Sequence, residues 1–168
     1  MKSSSDEPYI VNTHDVAETV DYDGAHWGAA YRSLTPSMRP RGGKLGLSYV
    51  RLETGRTLCP FHYHQREDEV FYVLSGRGVL RYGDDVRHIG PGDCISCPAG
   101  TQTAHQIANP FDDDLIYLCI GNHEPDEVCV YPDNGKVLIR ELGRIGRLAD
   151  AEYLDGEPEV PKIFSLVP

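Results

Sequence analysis

Cys59-Pro60-Phe61-His62-Tyr63-His64-Gln65-Arg66-Glu67-Asp68-Glu69-Val70-Phe71-Tyr72-Val73-Leu74-Ser75-Gly76 is the stretch on which the reading of this chain turns. Two histidines stand two residues apart. In a strand, residues i and i+2 share a face, so a strand here aims His62 and His64 at one point in space. Glu69 opens the next apolar run, with the inward parity of Phe71 and Val73. A buried carboxylate facing two imidazoles is costly unless a cation binds it. A divalent metal supplies that charge. The segment reads as three metal ligands on two consecutive strands, with a fourth expected from a strand beside them.

His105 is the best candidate for that fourth ligand. It follows the turn Cys97-Pro98-Ala99-Gly100-Thr101 and precedes Gln106-Ile107-Ala108-Asn109. His88 lies in a hairpin return and faces in or out on parity alone. His14, His26 and His123 lie in weakly patterned or strand-end surroundings. These four are expected at the surface or in supporting positions.

Working outward, short runs of strand-forming residues follow one another, separated by Gly, Pro, Asn and Asp clusters. Leu45 to Glu53 alternates as a strand, and Gly24 to Ser33 reads as an earlier one. Gly83-Asp84-Asp85 is hairpin punctuation between Val79–Tyr82 and Val86–Ile89. Cys94–Cys97, Ala104–Ala108, Leu115–Gly121 and Val128–Tyr131 read as four more strands. Eight or more short strands in this cadence indicate an all-β sandwich or barrel. The expected organisation is one domain: an arm over about 1–25, a barrel over about 26–132 and an extension over about 133–168. One short helix is expected around Leu148 to Leu154. Ile163 to Val167 is expected as a strand or a packing arm.

Composition narrows the classes. The 168 residues are 40% apolar, enough for one core, and carry a formal charge of −10. Nucleic acid and anionic membranes reward positive charge, so neither is expected as a partner. No apolar run approaches the roughly 20 residues that span a bilayer. The N-terminal residues are polar and acidic without an apolar h-region, so no secretory signal is expected, and the cysteines read as cytoplasmic thiols. Five cysteines, an odd count, argue against a disulfide framework. Cys94 and Cys97 match C-x-x-C, but positions i and i+3 of a strand face opposite ways.

The chain resembles the cupin superfamily in two motifs. The first pattern is Gly, about five residues, His-x-His, three or four residues, Glu, six residues, Gly. Here Gly55 is followed after six residues by His62-Tyr63-His64, after four by Glu69 and after six by Gly76. The second is Gly, five residues, Pro-x-Gly, two residues, His, three residues, Asn. Here Gly92 is followed after five by Pro98-Ala99-Gly100, after four by His105 and after three by Asn109. The Gly55–His62 interval is one residue longer and the Gly100–His105 interval two longer. An even insertion preserves strand parity, so His105 still faces inward.

The resemblance implies a double-stranded β-helix, or jelly-roll barrel, holding one divalent transition metal on His62, His64, Glu69 and His105. Its length and C-terminal extension resemble single-domain bacterial cupins of a sugar-phosphate-isomerase-like group. Three imidazoles and a carboxylate suit zinc, iron, manganese, nickel or copper better than magnesium or calcium. Three functions follow as expectations. The first is a metal-dependent isomerase on a small hydroxylated or phosphorylated carbonyl compound, with Glu69 as base. The second is an iron or manganese dioxygenase or decarboxylase, and the third a non-catalytic small-ligand-binding module. The loop Pro36 to Lys44 reads either as a solvated connector or as a phosphate clamp built on Arg39, Arg41 and Lys44. Tyr49 and Tyr117 are expected nearest the site, or else as ordinary core aromatics. Exposed sheet edges, an arm and an apolar tail point to a homodimer.

Overall fold

Alternation of apolar and polar side chains fixes the elements, and Gly, Pro and Asp separate them. The computed structural model describes residues 8–166. Within them the strands in chain order are β1 (Thr19–Asp23), β2 (Trp27–Ser33), β3 (Leu45–Leu52), β4 (Arg56–Thr57), β5 (Tyr63–His64), β6 (Glu69–Ser75) and β7 (Gly78–Tyr82). They continue with β8 (Asp85–Ile89), β9 (Cys94–Cys97), β10 (His105–Asn109), β11 (Leu115–Asn122), β12 (Val128–Tyr131), β13 (Lys136–Ile139) and β14 (Arg144–Arg147). A ten-stranded sheet runs β8-β7-β10-β4-β2-β3-β11-β6-β9, with β1 attached to β2. A four-stranded sheet runs β14-β13-β12-β5. The fold is all-β, as the strand cadence predicts, and is the jelly-roll barrel that the resemblance implies.

Inward residues of the larger sheet make the core: Val50, Leu52, Phe71, Val73, Leu80, Ile107, Leu115 and Tyr117 are all buried. Each aliphatic or aromatic side chain so buried contributes roughly 1.5–3 kcal/mol of transfer free energy. In β6 the alternation is plain, with Phe71 and Val73 inside and Tyr72 and Leu74 outside. Gly76 ends this strand at φ +79°, and a Cβ there would lie 2.1 Å from the Asp114 carbonyl oxygen. Only glycine fits that turn. Asn109 is 1% exposed. Its side-chain amide donates to the carbonyls of Leu52 and Asp113, each at 2.8 Å, and its Oδ1 accepts the Phe111 N–H at 3.1 Å. The second motif's asparagine thus ties β3 to the β10–β11 turn.

The two sheets meet at one isolated antiparallel bridge, His62 to His105. The His105 N–H donates to the His62 carbonyl at 2.8 Å, and the His62 N–H to the His105 carbonyl at 3.2 Å. The seam of the barrel therefore runs through two of the four expected ligands.

Three sequence expectations are corrected. Leu148 to Leu154 forms no helix. Asp155 accepts the Glu152 N–H at 2.9 Å, and Gly156 adopts φ +79°. Leu148, Tyr153 and Leu154 are exposed. Without a surface to bury them, an amphipathic helix has no packing gain there. Gly24 sits in the β1–β2 turn at φ +61°, so the early strand begins at Trp27. Lys162–Ser165 is an exposed 3-10 turn instead of a strand, and Val167 lies outside the described residues.

Candidate metal centre

β5 is two residues long, held between β12 and the bridge to β10. His64 on β5 and His62 just before it face inward, as their spacing predicts, with ring centroids 4.9 Å apart. β10 delivers His105, whose ring lies 4.6 Å from that of His62. The two extra residues before it are absorbed in the loop, where Gln102 takes φ +59°. Glu69, at the start of β6, reaches the same point. Its Oε2 lies 2.9 Å from His105 Nε2, 3.2 Å from His64 Nε2 and 3.7 Å from His62 Nε2. Three imidazoles thus converge on one carboxylate oxygen of Glu69.

Hydrogen bonds decide which nitrogen of two rings faces the centre. His62 Nδ1–H donates to the Pro60 carbonyl at 2.8 Å, which leaves Nε2 pointing inward. His64 Nδ1–H donates to Glu127 Oε1 at 3.2 Å. His64 Nε2 is buried without a hydrogen-bond partner, although Glu69 is near. His105 Nδ1 is likewise buried and unpartnered. Inward imidazole nitrogens around a half-buried carboxylate are the donor set a borderline divalent ion takes, and the residues fit one.

The charges agree. Burial alone would raise the Glu69 carboxyl, but bonds to His105, His62 and His64 hold it well below the usual carboxylate range. Burial pushes His62 down. Contacts with Cys59 and Glu69 outweigh it, and the ring is raised to about 10. His64 is also raised, Glu69 overcoming burial, whereas burial keeps His105 below its ordinary value. A cluster that must hold protons beside Glu69 is a cluster in which a metal ion competes with protons.

Glu127 is fully buried. Besides His64, it accepts the Gln65 N–H at 3.0 Å and the Arg66 N–H at 2.9 Å. Such a carboxylate fixes ring orientation and raises the basicity of the opposite nitrogen. Glu67, also buried, forms a two-pronged ion pair with Arg140 and lies 3.7 Å from His64 Nδ1. Cys129, across from His64 on β12, and Tyr131, whose ring is 6.0 Å from His62, complete this wall.

Residues 48–121 match the cupin domain family. These residues form a cupin domain. Among solved structures, this cupin is similar to a cupin-superfamily sugar phosphate isomerase from Silicibacter pomeroyi. Identity is 25%, over 91% of this chain and 97% of that one, with a TM-score of 0.71. It is also similar to a proposed sugar phosphate isomerase from Acidithiobacillus ferrooxidans, at 29% identity over 74% of this chain and 83% of that one, TM-score 0.62. An uncharacterized protein of Methanocaldococcus jannaschii is 29% identical over 60% of this chain and 82% of its own length.

The other expected site residues of the cupin fall outside the cluster. Tyr49 is on the outer face of β3 with Arg51, opposite the buried Val50 and Leu52, and Arg32 lies over its ring at 5.6 Å. Strand alternation, not aromaticity, decides this. Tyr117 is 1% exposed and packs edge-on against Phe71 at 5.9 Å, and Phe71 in turn lies 5.5 Å from His105. Tyr117 is therefore a core residue one layer beneath the ligands.

Arg39 and Arg41 lie in an exposed 3-10 turn, Arg39–Arg41. Lys44 pairs with Glu124 at 2.7 Å, and its carbonyl accepts the His123 N–H at 2.8 Å. The Glu124 N–H donates to Glu67 at 2.7 Å, so the loop reaches the histidines only through the 123–124 segment and Glu67. Sequence reading missed Glu67, Glu127, Cys129 and Tyr131. Their signal was faint: acidic or thiol residues beside short apolar runs, without motif spacing. The five cysteines are all free, with Cys94 exposed and Cys97 buried as opposite parity requires. Among the described residues, no helix is long and apolar enough to cross a membrane.

Proposed function

We propose that this cupin is a metal-dependent isomerase of small hydroxylated or phosphorylated carbonyl compounds. The observation that carries the proposal is the convergence of three imidazole nitrogens within 2.9 to 3.7 Å of Glu69 Oε2. His62, His64, Glu69 and His105 would hold one zinc, iron, manganese or nickel ion, which when bound supplies Lewis acidity toward substrate oxygens. Glu69 is assigned the proton transfer between adjacent carbons. Burial favours its protonated form once the imidazoles no longer hydrogen-bond to it, and that restores basicity to the carboxylate. Glu127 holds His64 in the required orientation. Arg39, Arg41 and Lys44 are assigned the phosphate, Arg39 lining a groove of about 380 Å³ with Tyr31, Thr35 and Leu47. Support for this substrate class comes from the likeness to the two isomerase structures. A cytoplasmic dimer with reduced thiols completes the reading.

The test begins with protein purified without added metal, analysed for metals beside His62→Ala. The expected result is one transition ion per chain, absent from the variant. A panel of aldose and ketose phosphates is then followed anaerobically in deuterium oxide. Isomerisation with solvent deuterium entering the substrate is expected. A loaded centre that exchanges no deuterium into any of them, or that turns over only with dioxygen, overturns the assignment.

A further inference from the structure

One buried group beside the centre has no part in the proposed isomerase. Cys129 is 3% exposed and stands opposite His64 in the β5–β12 register. Its Sγ and one ring nitrogen each of His62 and His64 lie within 4.8 Å of one another. His62, Glu69 and His105 meet the same condition as a second set, so His62 belongs to both. Donors around a tetrahedral ion at Zn–N and Zn–S distances stand about 3.5 Å apart. Either set reaches that spacing by closing in at most about 1.3 Å.

The other thiols are placed differently. Cys97 and Cys119 belong to neither set. Cys59 Sγ is 3.6 Å from His62 Nδ1, but that nitrogen donates to the Pro60 carbonyl and faces away from the centre. Cys129 alone among them has its sulfur within 4.8 Å of a ring nitrogen on both His62 and His64.

We propose that the centre has two coordination faces hinged on His62. One, of His62, Glu69 and His105, carries oxygen; the other, of His62, His64 and Cys129, carries sulfur. Thiophilic ions, such as zinc, cobalt(II) and copper(I), take Cys129 as a ligand, and manganese(II) does not. Ligand softness supplies the selection: thiolate favours soft and borderline ions, carboxylate the harder ones. Coordination releases the thiol proton to solvent and changes no oxidation state. The inference rests on the metal centre proposed above and deepens it, because Cys129 then selects the ion.

Cobalt(II) absorption of full-length protein, stripped by chelator and reloaded, tests it. Visible d–d bands report binding of the ion, and near-ultraviolet sulfur-to-cobalt charge transfer reports a thiolate ligand. Wild type is expected to show both. Cys129→Ser and Cys129→Ala are expected to keep the d–d bands and lose the charge-transfer band, and Cys59→Ser to keep both. X-ray absorption of the zinc-loaded wild type, expected to show one sulfur neighbour at about 2.3 Å, decides the matter if the variants fail to fold. Bound cobalt without charge transfer overturns the sulfur face and leaves the metal centre standing. A band lost in Cys59→Ser instead also overturns it. No cobalt binding at all sinks both.

Discussion

The barrel segment that carries the candidate ligands and the antiparallel strands that follow it, β12 to β14, differ in kind. The first region lies within the family match, residues 48–121, and contributes His62, His64, Glu69 and His105. The second lies after it and contributes no motif residue. Yet it supplies the buried Glu127 behind His64, the Arg140 partner of Glu67 and the Cys129 thiol beside two imidazoles. The contrast teaches that donor identity and donor orientation are set by separate parts of the chain. Orientation matters because an imidazole binds through one nitrogen only, and whatever engages the other decides which.

Four changes test that division, the largest effect first. Replacing His105 by Ala should remove the bound ion entirely while the chain stays folded, as read by elemental analysis beside circular dichroism. A retained stoichiometric ion would show that the ligands are not those of the barrel. Arg140→Ala leaves the Glu67 carboxylate buried without its cation, and such a loss costs about 3 kcal/mol. For a chain of this size that lowers Tm by roughly 6–12 °C. A shift under about 2 °C would make the β12–β14 segment incidental to stability.

Glu127→Gln keeps the shape but removes the charge behind His64, and its single amide oxygen can accept only one side of the set now shared between Oε1 (His64 and Gln65) and Oε2 (Arg66). Metal affinity should fall about 10- to 100-fold, measured by competition with a chromophoric chelator. An unchanged affinity would assign orientation to the barrel alone. The smallest effect is a control far from the centre. Arg51 holds Glu18 below its ordinary value through paired bonds at 2.9 and 3.2 Å. A carboxyl depressed in the folded state contributes stability that is whole above its ordinary value of 4.5 and is lost as pH falls through the lowered one. Arg51→Ala should therefore cost under about 1 kcal/mol at pH 7. The difference from wild type should shrink below pH 4.5, and persistence at pH 2.5 in urea melts would refute the electrostatic origin.

Much of the barrel was legible because period-2 burial is a local property of sequence. The His62-x-His64 pair, the inward Glu69 and the parity of His105 despite two added residues all follow from alternation. The same rule, applied strictly, would have placed Tyr49 outside, since Val50 and Leu52 face the core. The helix expected at Leu148 to Leu154 failed for another reason: propensity without a packing surface does not fold a short segment. Glu67 and Glu127 were illegible because a lone glutamate reads as solvated surface until its partners are known.

Sequence by itself determined the strand succession and the inward parity of His62, His64, Glu69 and His105, since parity depends on residues a few positions apart. Tertiary structure decided that β12 lies against β5, and with it that Glu127 and Cys129 stand beside His64, more than 60 positions away along the chain. No local pattern encodes that pairing. It is set by which sheet edges find each other when the barrel closes, a choice made by burial and backbone hydrogen bonding over the whole fold.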